Sequence, residues 1–392
     1  MINSYFNYPE DPRLKLTGKY AFDLQTGSSQ RNTLVLLQSK INSLNPTQTT
    51  DKQPTYIIHF KDYDFDLKHW KKLPFSPDRY FLSNRDYNLE ETTISSMKWD
   101  TLKNGKQLID SLAPITTDWL LKSLGDKETL QTFLECLGLS FLNSQPVNFI
   151  VFLKSSGGTG KSRLFEYLAS LFGIENDTVG LDFDQIIRPA SFDISELRNK
   201  SIDLSSDVKA SYIPKDAVAI LKALSGDDLR SLSQKNKGTA NFANHANLWF
   251  NCNDMPRLAP ESYDNSIARR FIIFDWLFIK NFSWEKVKDK LQKERNELVT
   301  KALYYAKRAL EDHLKEYDYL TTPSNLTRSP RVIKNYINWK NKHNLLERFI
   351  AERCKLKNYY RVGVTAFRQE FSQYSKDNGH TRIDIPIETL ES

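Results

Sequence analysis

The tightest constraint in the chain is a glycine-dense loop set between an apolar run and an amphipathic segment. Val147 to Lys154 is short, β-rich and apolar, and Ser155-Ser156-Gly157-Gly158-Thr159-Gly160-Lys161-Ser162 follows it. Leu164, Leu168, Leu171 and Phe172 then recur at helical spacing up to Gly173. This order predicts strand, phosphate-cradling loop and helix, with Gly173 as a left-handed stop. Glycines let the backbone curl so that several N–H groups face phosphate oxygens, and the helix N-terminus adds the positive end of its dipole. The expected nucleotide contacts are therefore Gly157, Gly158, Thr159, Gly160, Lys161 and Ser162. In ATP, Lys161 would reach the β- and γ-phosphates, and the Ser162 hydroxyl would ligate Mg²⁺. One position departs from the usual pattern, which opens with Gly where Ser155 stands. A bare glycine-rich turn is the plainer alternative, but the Gly-Lys-Ser core with both flanking elements favours nucleotide.

A phosphate loop needs a carboxylate for the metal and for the attacking water. Ser201-Ile202-Asp203-Leu204-Ser205-Ser206-Asp207 reads as a short strand ending in an acid. Asp207, at its exit, is the expected metal and catalytic residue, whereas Asp203 within the strand is expected to be structural. The glutamate that usually stands beside such an acid is missing. Pro214 opens a helix whose buried side is Ala217, Val218, Ile220, Leu221 and Leu224, with Gly226 ending it. Lys235-Asn236-Lys237-Gly238 has hairpin-turn chemistry with Lys235 and Lys237 at its apex; such a tip is usually just solvated, yet its place between the acid strand and the next core strand suits projection into a central channel and a grip on DNA. Asn247 to Asn251 reads as the next core strand, leaving Asn253 at its end to position water or sense the γ-phosphate. Arg269-Arg270 then precedes the apolar Ile272-Ile273-Phe274. Such a pair is surface charge or an arginine finger offered to a neighbouring subunit, with Arg270 the first choice and Arg269 the second.

Composition bounds the rest. The chain has 392 residues, 40% hydrophobic and 26% charged, which allows two to four domains at ~100–200 residues each. No stretch approaches the ~18–20 apolar residues of a membrane span, and the amino terminus lacks the pattern of a signal peptide. Three cysteines at unpaired spacings fit a reducing compartment. A net charge of +7 favours a polyanionic partner. Asn42 to Pro54 reads as a loop. Asp62-Tyr63-Asp64-Phe65-Asp66 alternates carboxylates that could hold metal for nucleotide polymerisation, although a solvated turn is the stronger reading. Trp99 to Asn143 is helical in pattern, with Asp126 as an N-cap and Leu130, Phe133, Leu134, Leu137 and Phe141 on the core face. The Lys- and Glu-dense stretch from Trp284 to Tyr319 is expected to be solvated helix, with Leu291, Leu298 and Ala302 on its one apolar side. Thr321 to Arg331 reads as a linker.

Taken in order, the Gly-Gly-Thr-Gly-Lys-Ser loop, Ser206-Asp207, Leu224-Ser225-Gly226-Asp227 before a basic hairpin, Asn253 with Pro256, and Arg269-Arg270 resemble the superfamily III helicases. The likeness is to their poxvirus-type and phage or plasmid primase-helicase branch. It covers roughly Trp99 to Trp276 and continues more weakly to about Gly379. It implies an α/β chain: a P-loop AAA+-like ATPase core with an N-terminal helical module and a C-terminal winged-helix region. The implied division is 1–95 of unclear fold, 96–145 helical module, 146–282 ATPase domain, 283–322 helical extension and 323–392 winged-helix-like DNA-binding region. It further implies ATP and Mg²⁺ as cofactors and a homo-oligomeric ring, expected to be a hexamer. The ring would translocate on single-stranded, forked or origin-duplex DNA, with other replication proteins as further partners. Lys, Asn, Phe and Tyr are abundant, which fits a phage or mobile genetic element in a bacterial cytoplasm. Residues 1–95 are too few for a primase domain, so helicase without primase activity is expected. The competing class is an ATP-switched initiator or helicase loader that does not itself unwind. A P-loop kinase is disfavoured because no arginine-rich lid is visible.

Overall fold

The computed structural model describes residues 55–378 apart from 77–78, 80–84, 91–96, 174–176, 189–192, 210–211, 227–228, 235–237, 260–261, 314–325, 344, 356 and 358. The loop expected at Asn42 to Pro54 and most of the expected linker lie outside the described residues. The strands are β1 (Ile57–His59), β2 (Asp64–Asp66), β3 (Lys71–Leu73), β4 (Ile150–Lys154), β5 (Thr178–Val179), β6 (Ile202–Val208), β7 (Tyr212–Ile213), β8 (Leu229–Gln234), β9 (Gly238–Ala243), β10 (Asn247–Cys252), β11 (Arg257–Leu258) and β12 (Phe271–Asp275). The helices are α1 (Trp99–Asn104), α2 (Lys106–Asp110), α3 (Pro114–Leu124), α4 (Lys127–Leu139), α5 (Lys161–Phe172), α6 (Phe183–Ile187), α7 (Lys215–Leu224), α8 (Asn265–Ala268), α9 (Trp284–Lys293), α10 (Arg295–His313), α11 (Pro330–His343), α12 (Leu345–Arg353) and α13 (Val364–Asp377). None of them is long and apolar enough to cross a membrane.

The body is a five-stranded parallel sheet in the order β12-β4-β10-β6-β5. Parallel strands covered on both faces must be apolar on both, and alternate residues along them feed two separate cores. Val151, Leu153, Trp249, Ile272 and Phe274 join one core with α3, α4, α5 and α10. Ile150, Phe152, Leu248, Phe250, Phe271 and Ile273 join the other with α6, α7 and α11. The glycine after α5 takes φ +98°, and its N–H closes the last turn on the Ala169 carbonyl, as its position predicts. Asp126 caps α4 by accepting from the Thr129 N–H at 2.7 Å.

Three sequence expectations change. The segment from Trp284 is a solvated helix only in its first part, where Leu291 is the buried apolar residue, and Leu298 and Ala302 are buried as expected. It breaks at Glu294 into α9 and α10, and α10 is a core element that packs along α4. Its Lys301 is buried because the ammonium donates to the carbonyls of Asp110 (2.9 Å) and Leu112 (3.2 Å) and to the Thr117 hydroxyl (3.0 Å). Lys307 is buried likewise, donating to the Lys68 carbonyl at 2.7 Å. Of the alternating carboxylates, Asp62 is exposed in a bend as expected, whereas Asp64 and Asp66 are not solvated. Asp64 is buried between His59 and Arg79, 2.7 Å from each, and Asp66 holds the His69 ring and backbone. They hold the β1–β3 sheet together through hydrogen bonds and the Arg79–Asp64 ion pair. Finally, α11 belongs to the α/β body rather than to a separate tail: Trp339 stacks on Phe271 at 5.4 Å and donates to the Pro256 carbonyl. The helices α12 and α13 share a small core of their own around Phe349 and Phe371. Residues 379–392 lie outside the described residues.

Two predictions concern this scaffold. A methyl added at Gly138 would stand 2.6 Å from the Ala302 carbonyl carbon and 2.8 Å from the Ala306 methyl. Gly138→Ala should therefore push α4 from α10 and lower stability by about 1–3 kcal/mol, read as a lower urea midpoint. Asp203 is fully buried in β6, accepts the Leu181 N–H at 2.9 Å, and is pushed well above the ordinary carboxylate range by that burial. The folded chain thus keeps a proton that the unfolded chain releases above about pH 4. Stability should fall as pH rises from there towards the raised value. Asp203→Asn retains the acceptor oxygen and should remove that slope in pH-dependent denaturation; an unchanged slope would show that another group sets it.

Candidate nucleotide site

The loop after β4 leaves a strand that is buried on both faces, so polar groups first become available at its carboxyl end. There the backbone turns through Gly158 (φ +77°) and Gly160 (φ +91°), conformations that favour glycine over any side chain. Nothing lies within 4 Å of where a Cβ would stand at Gly157, Gly158 or Gly160. That open space belongs to a cleft of about 410 Å³ lined by Gly157, Gly158, Thr159, Gly160, Lys161, Ser162, Ser206, Asn251 and Asn253. The loop is tethered at both ends. The Ser155 N–H donates to the Cys252 carbonyl at 3.2 Å, and the Trp276 indole N–H donates to the Thr159 carbonyl at 3.2 Å.

Lys161 opens α5 and is 5% exposed. Its ammonium donates to the Ser155 carbonyl (2.9 Å), to the Asn253 Oδ1 (3.2 Å) and, more weakly, to the Ser156 carbonyl (3.4 Å), as well as to the Ser155 hydroxyl. The Ser155 hydroxyl also lies 2.5 Å from that of Thr159. The residue that departs from the usual motif thus helps to hold the lysine. Asn253, expected beside the γ-phosphate, meets the same ammonium.

Asn251 and Asn253 stand two residues apart at the exit of β10, and both line the cleft. Asn251 was not anticipated; the two-residue spacing at a strand end is the signal that marks it. One strand further, β6 carries Ser206 into the cleft. The pairing of β6 with β10 slips there: Phe250 faces Ser205 and Cys252 faces Val208, so Ser206 and Asp207 together oppose Asn251. Such a bulge re-aims side chains and is common beside active sites. Asp207 lies in this bulge by its backbone, and its side chain is outside what the structure describes. Cys252, buried between these strands, has its thiol pushed up to about 12 by burial and is not a nucleophile at neutral pH.

The arginine pair separates. Arg270 is buried, with its guanidinium donating to the Ser225 hydroxyl (3.1 Å) and the Ser266 carbonyl (3.0 Å). The first choice for a finger is thereby corrected: those contacts tie Arg270 to α7 and α8. Arg269 is exposed. Its backbone is fixed because Arg328 donates to the carbonyls of Ala268 (2.6 Å) and Arg269 (2.5 Å). The basic hairpin forms as expected, with Gln234 paired to Gly238, while Lys235 and Lys237 lie outside the described residues.

A model of a family of unknown function (DUF5906) matches residues 153–270, from within β4 to the residue before β12. None of the curated proteins compared with the chain matches it. Among solved structures, the chain is similar to an A-form apo structure of the NrS-1 C-terminal region (305–718), with 21% identity and a TM-score of 0.35. That match covers 50% of this chain and 44% of the other. A further A-form apo structure of the NrS-1 C-terminal region is 18% identical with a TM-score of 0.42, covering 69% and 68%. An apo structure of region 305–718 is 14% identical with a TM-score of 0.41, covering 71% and 69%. The chain spans less than half the length of the first of these.

Proposed function

We propose that this chain is an ATP-hydrolysing DNA helicase that works as a ring, a hexamer in the simplest case, in the replication of a phage or mobile genetic element. The observation that carries the reading is the convergence of Lys161, Ser162, Ser206, Asn251 and Asn253 on one open cleft at the carboxyl ends of neighbouring parallel strands. Neighbouring strands are ~4.8 Å apart, so β10 and β6 offer polar groups at increasing distance from the phosphate loop. That graded spacing suits a γ-phosphate with a water beyond it. The exposed Ser162 hydroxyl lines the cleft and suits a hard cation. With Asp207 it would hold Mg²⁺, which when bound neutralises charge on the phosphate oxygens.

In this reading the Lys161 ammonium leaves Ser155 and Asn253 for the β- and γ-phosphates, and the freed Asn253 amide orients the attacking water. Asp207 would help to orient that water, whose proton leaves with the released phosphate. Arg269, exposed on a clamped backbone, would reach the γ-phosphate of a neighbouring subunit. Lys235 and Lys237, which lie between β8 and β9 in the sequence, would hold DNA phosphates in the channel. Asp254 follows Asn253 and accepts from Lys342 of α11 at 3.1 and 3.2 Å. That ion pair supports a route by which phosphate loss at Asn253 would be felt in the carboxy-terminal helices.

A mixing experiment tests the shared site. Lys161→Ala should abolish ATP hydrolysis with the fold intact, and Arg269→Ala should lower it by about 10³-fold or more. Combining the two inactive chains should restore part of the turnover, because some interfaces then hold an intact phosphate loop and an intact arginine. Absence of recovery in rings shown by native mass spectrometry to be mixed would contradict the trans-acting arginine. Turnover retained in Lys161→Ala would contradict the nucleotide site itself. Hydrolysis without strand separation on a forked substrate would favour the initiator or loader reading.

A further inference from the structure

The segment joining α12 to α13 differs in kind from the surface around it. From Arg353 to Gln369 the chain carries Arg353, Lys355, Lys357, Arg361 and Arg368 and no carboxylate. Within it Tyr359 is 93% exposed and Tyr360 60%. Tyr359 is the most exposed large apolar side chain among the described residues. The neighbouring aromatics have structural work. Phe349, Phe371 and Tyr374 form the core between α12 and α13, and Tyr374 donates its hydroxyl to Glu352 at 2.7 Å. Tyr359 and Tyr360 have no such part in the core. A turn closed by the Tyr360 N–H on the Lys357 carbonyl (3.0 Å) presents them, and the Lys357 ammonium lies 5.7 Å from the Tyr360 ring centroid.

Two adjacent aromatic rings open to water, set in a stretch of sequence with five cations and no carboxylate, match a ligand that carries flat apolar faces and regular negative charge together. We infer that Tyr359 and Tyr360, with Lys355, Lys357 and Arg361, form a stacking platform for single-stranded nucleic acid. Unpaired bases stack on the two rings, and the cations meet the flanking phosphates. A duplex offers the phosphates but keeps its base faces stacked inside, so it would use the cations and leave the rings idle. An acidic peptide would do the same. Only the single strand uses both halves of the surface. The inference shares its partner class with the proposed helicase but not its site. It needs no nucleotide, so its failure and that of the ATPase reading are separable.

The test is fluorescence anisotropy of the full chain, without ATP, on a labelled oligothymidylate of about twenty nucleotides. Tyr359→Ala/Tyr360→Ala should weaken binding on the order of tenfold or more while leaving its salt dependence unchanged. The paired Tyr→Phe variant should bind as wild type, because the ring rather than the hydroxyl does the stacking. Lys355→Ala/Lys357→Ala/Arg361→Ala should instead lower the log–log salt slope by about 2. A duplex of the same length should respond to the cation changes and not to the tyrosine changes. Both tyrosines are exposed, so unchanged circular dichroism and melting temperature are expected in every variant. No binding by wild type, an undiminished affinity in the Tyr→Ala pair, or an equal loss for single strand and duplex would each overturn the inference. So would polyglutamate binding that depends on the two tyrosines, which would mark a protein-docking surface.

Discussion

A strand buried on both faces and paired on both edges can express polarity only at its ends. Ile150, Val151, Phe152 and Leu153 are completely buried, and β4 is hydrogen-bonded to β10 on one side and β12 on the other. Their burial supplies ~1.5–3 kcal/mol per side chain, which requires helical layers over both faces of the sheet. That requirement shapes much of the chain. α4, α5 and α10 cover one face and α6, α7 and α11 the other, while the carboxyl end of β4 leads into the glycine loop. The cleft is a consequence of this layering, and the residues that line it are those that exit neighbouring strands at the same level.

Within the cleft, charge balance centres on the Lys161 ammonium. It is almost fully enclosed, and the carbonyl of Ser155, the hydroxyl of Ser155 and the amide oxygen of Asn253 are among its acceptors. Such partners solvate a cation without neutralising it. Ser155 and Asn253 are neutral, so their release of the ammonium would leave no buried negative charge on either of them. Had a carboxylate occupied either position, an incoming phosphate would have had to compete with an ion pair. The loop is held from outside by Trp276 and Cys252, which fixes its backbone while leaving the lysine free to change partners.

Elements governed by local spacing were legible in the sequence. The apolar period of α5 and its glycine stop, the Asp126 cap, the proline-led α7 and the basic hairpin each declare themselves within about fifteen residues. The structural role of Asp203 was legible too, since an acid inside an apolar strand has no route to solvent. What could not be read depends on partners far away in the chain. Lys301 and Lys307 look like surface charge until the carbonyls of Asp110, Leu112 and Lys68 are folded against them. The start of α3 carries no local cap: Glu294, nearly two hundred residues later, accepts its Ile115 and Thr116 N–H groups at 3.1 and 2.7 Å. Arg269 and Arg270 are equivalent in sequence, and only the position of Ser225 and Ser266 around the second separates them. Asn251 was missed because a buried asparagine in a core strand resembles a packing residue until its neighbour at Asn253 is seen to share the same opening.

The central claim is that the cleft receives a nucleoside triphosphate by exchanging the partners of Lys161. The most direct measurement is an experimental structure of the chain with Mg²⁺ and a non-hydrolysable ATP analogue. Triphosphate should then lie along the Gly157–Ser162 loop, with the Lys161 ammonium moved from Ser155 and Asn253 onto phosphate oxygens and Asn253 turned towards the terminal phosphate. A nucleotide bound elsewhere, or a Lys161 that keeps its contacts to Ser155 and Asn253 with the analogue present, would contradict the claim.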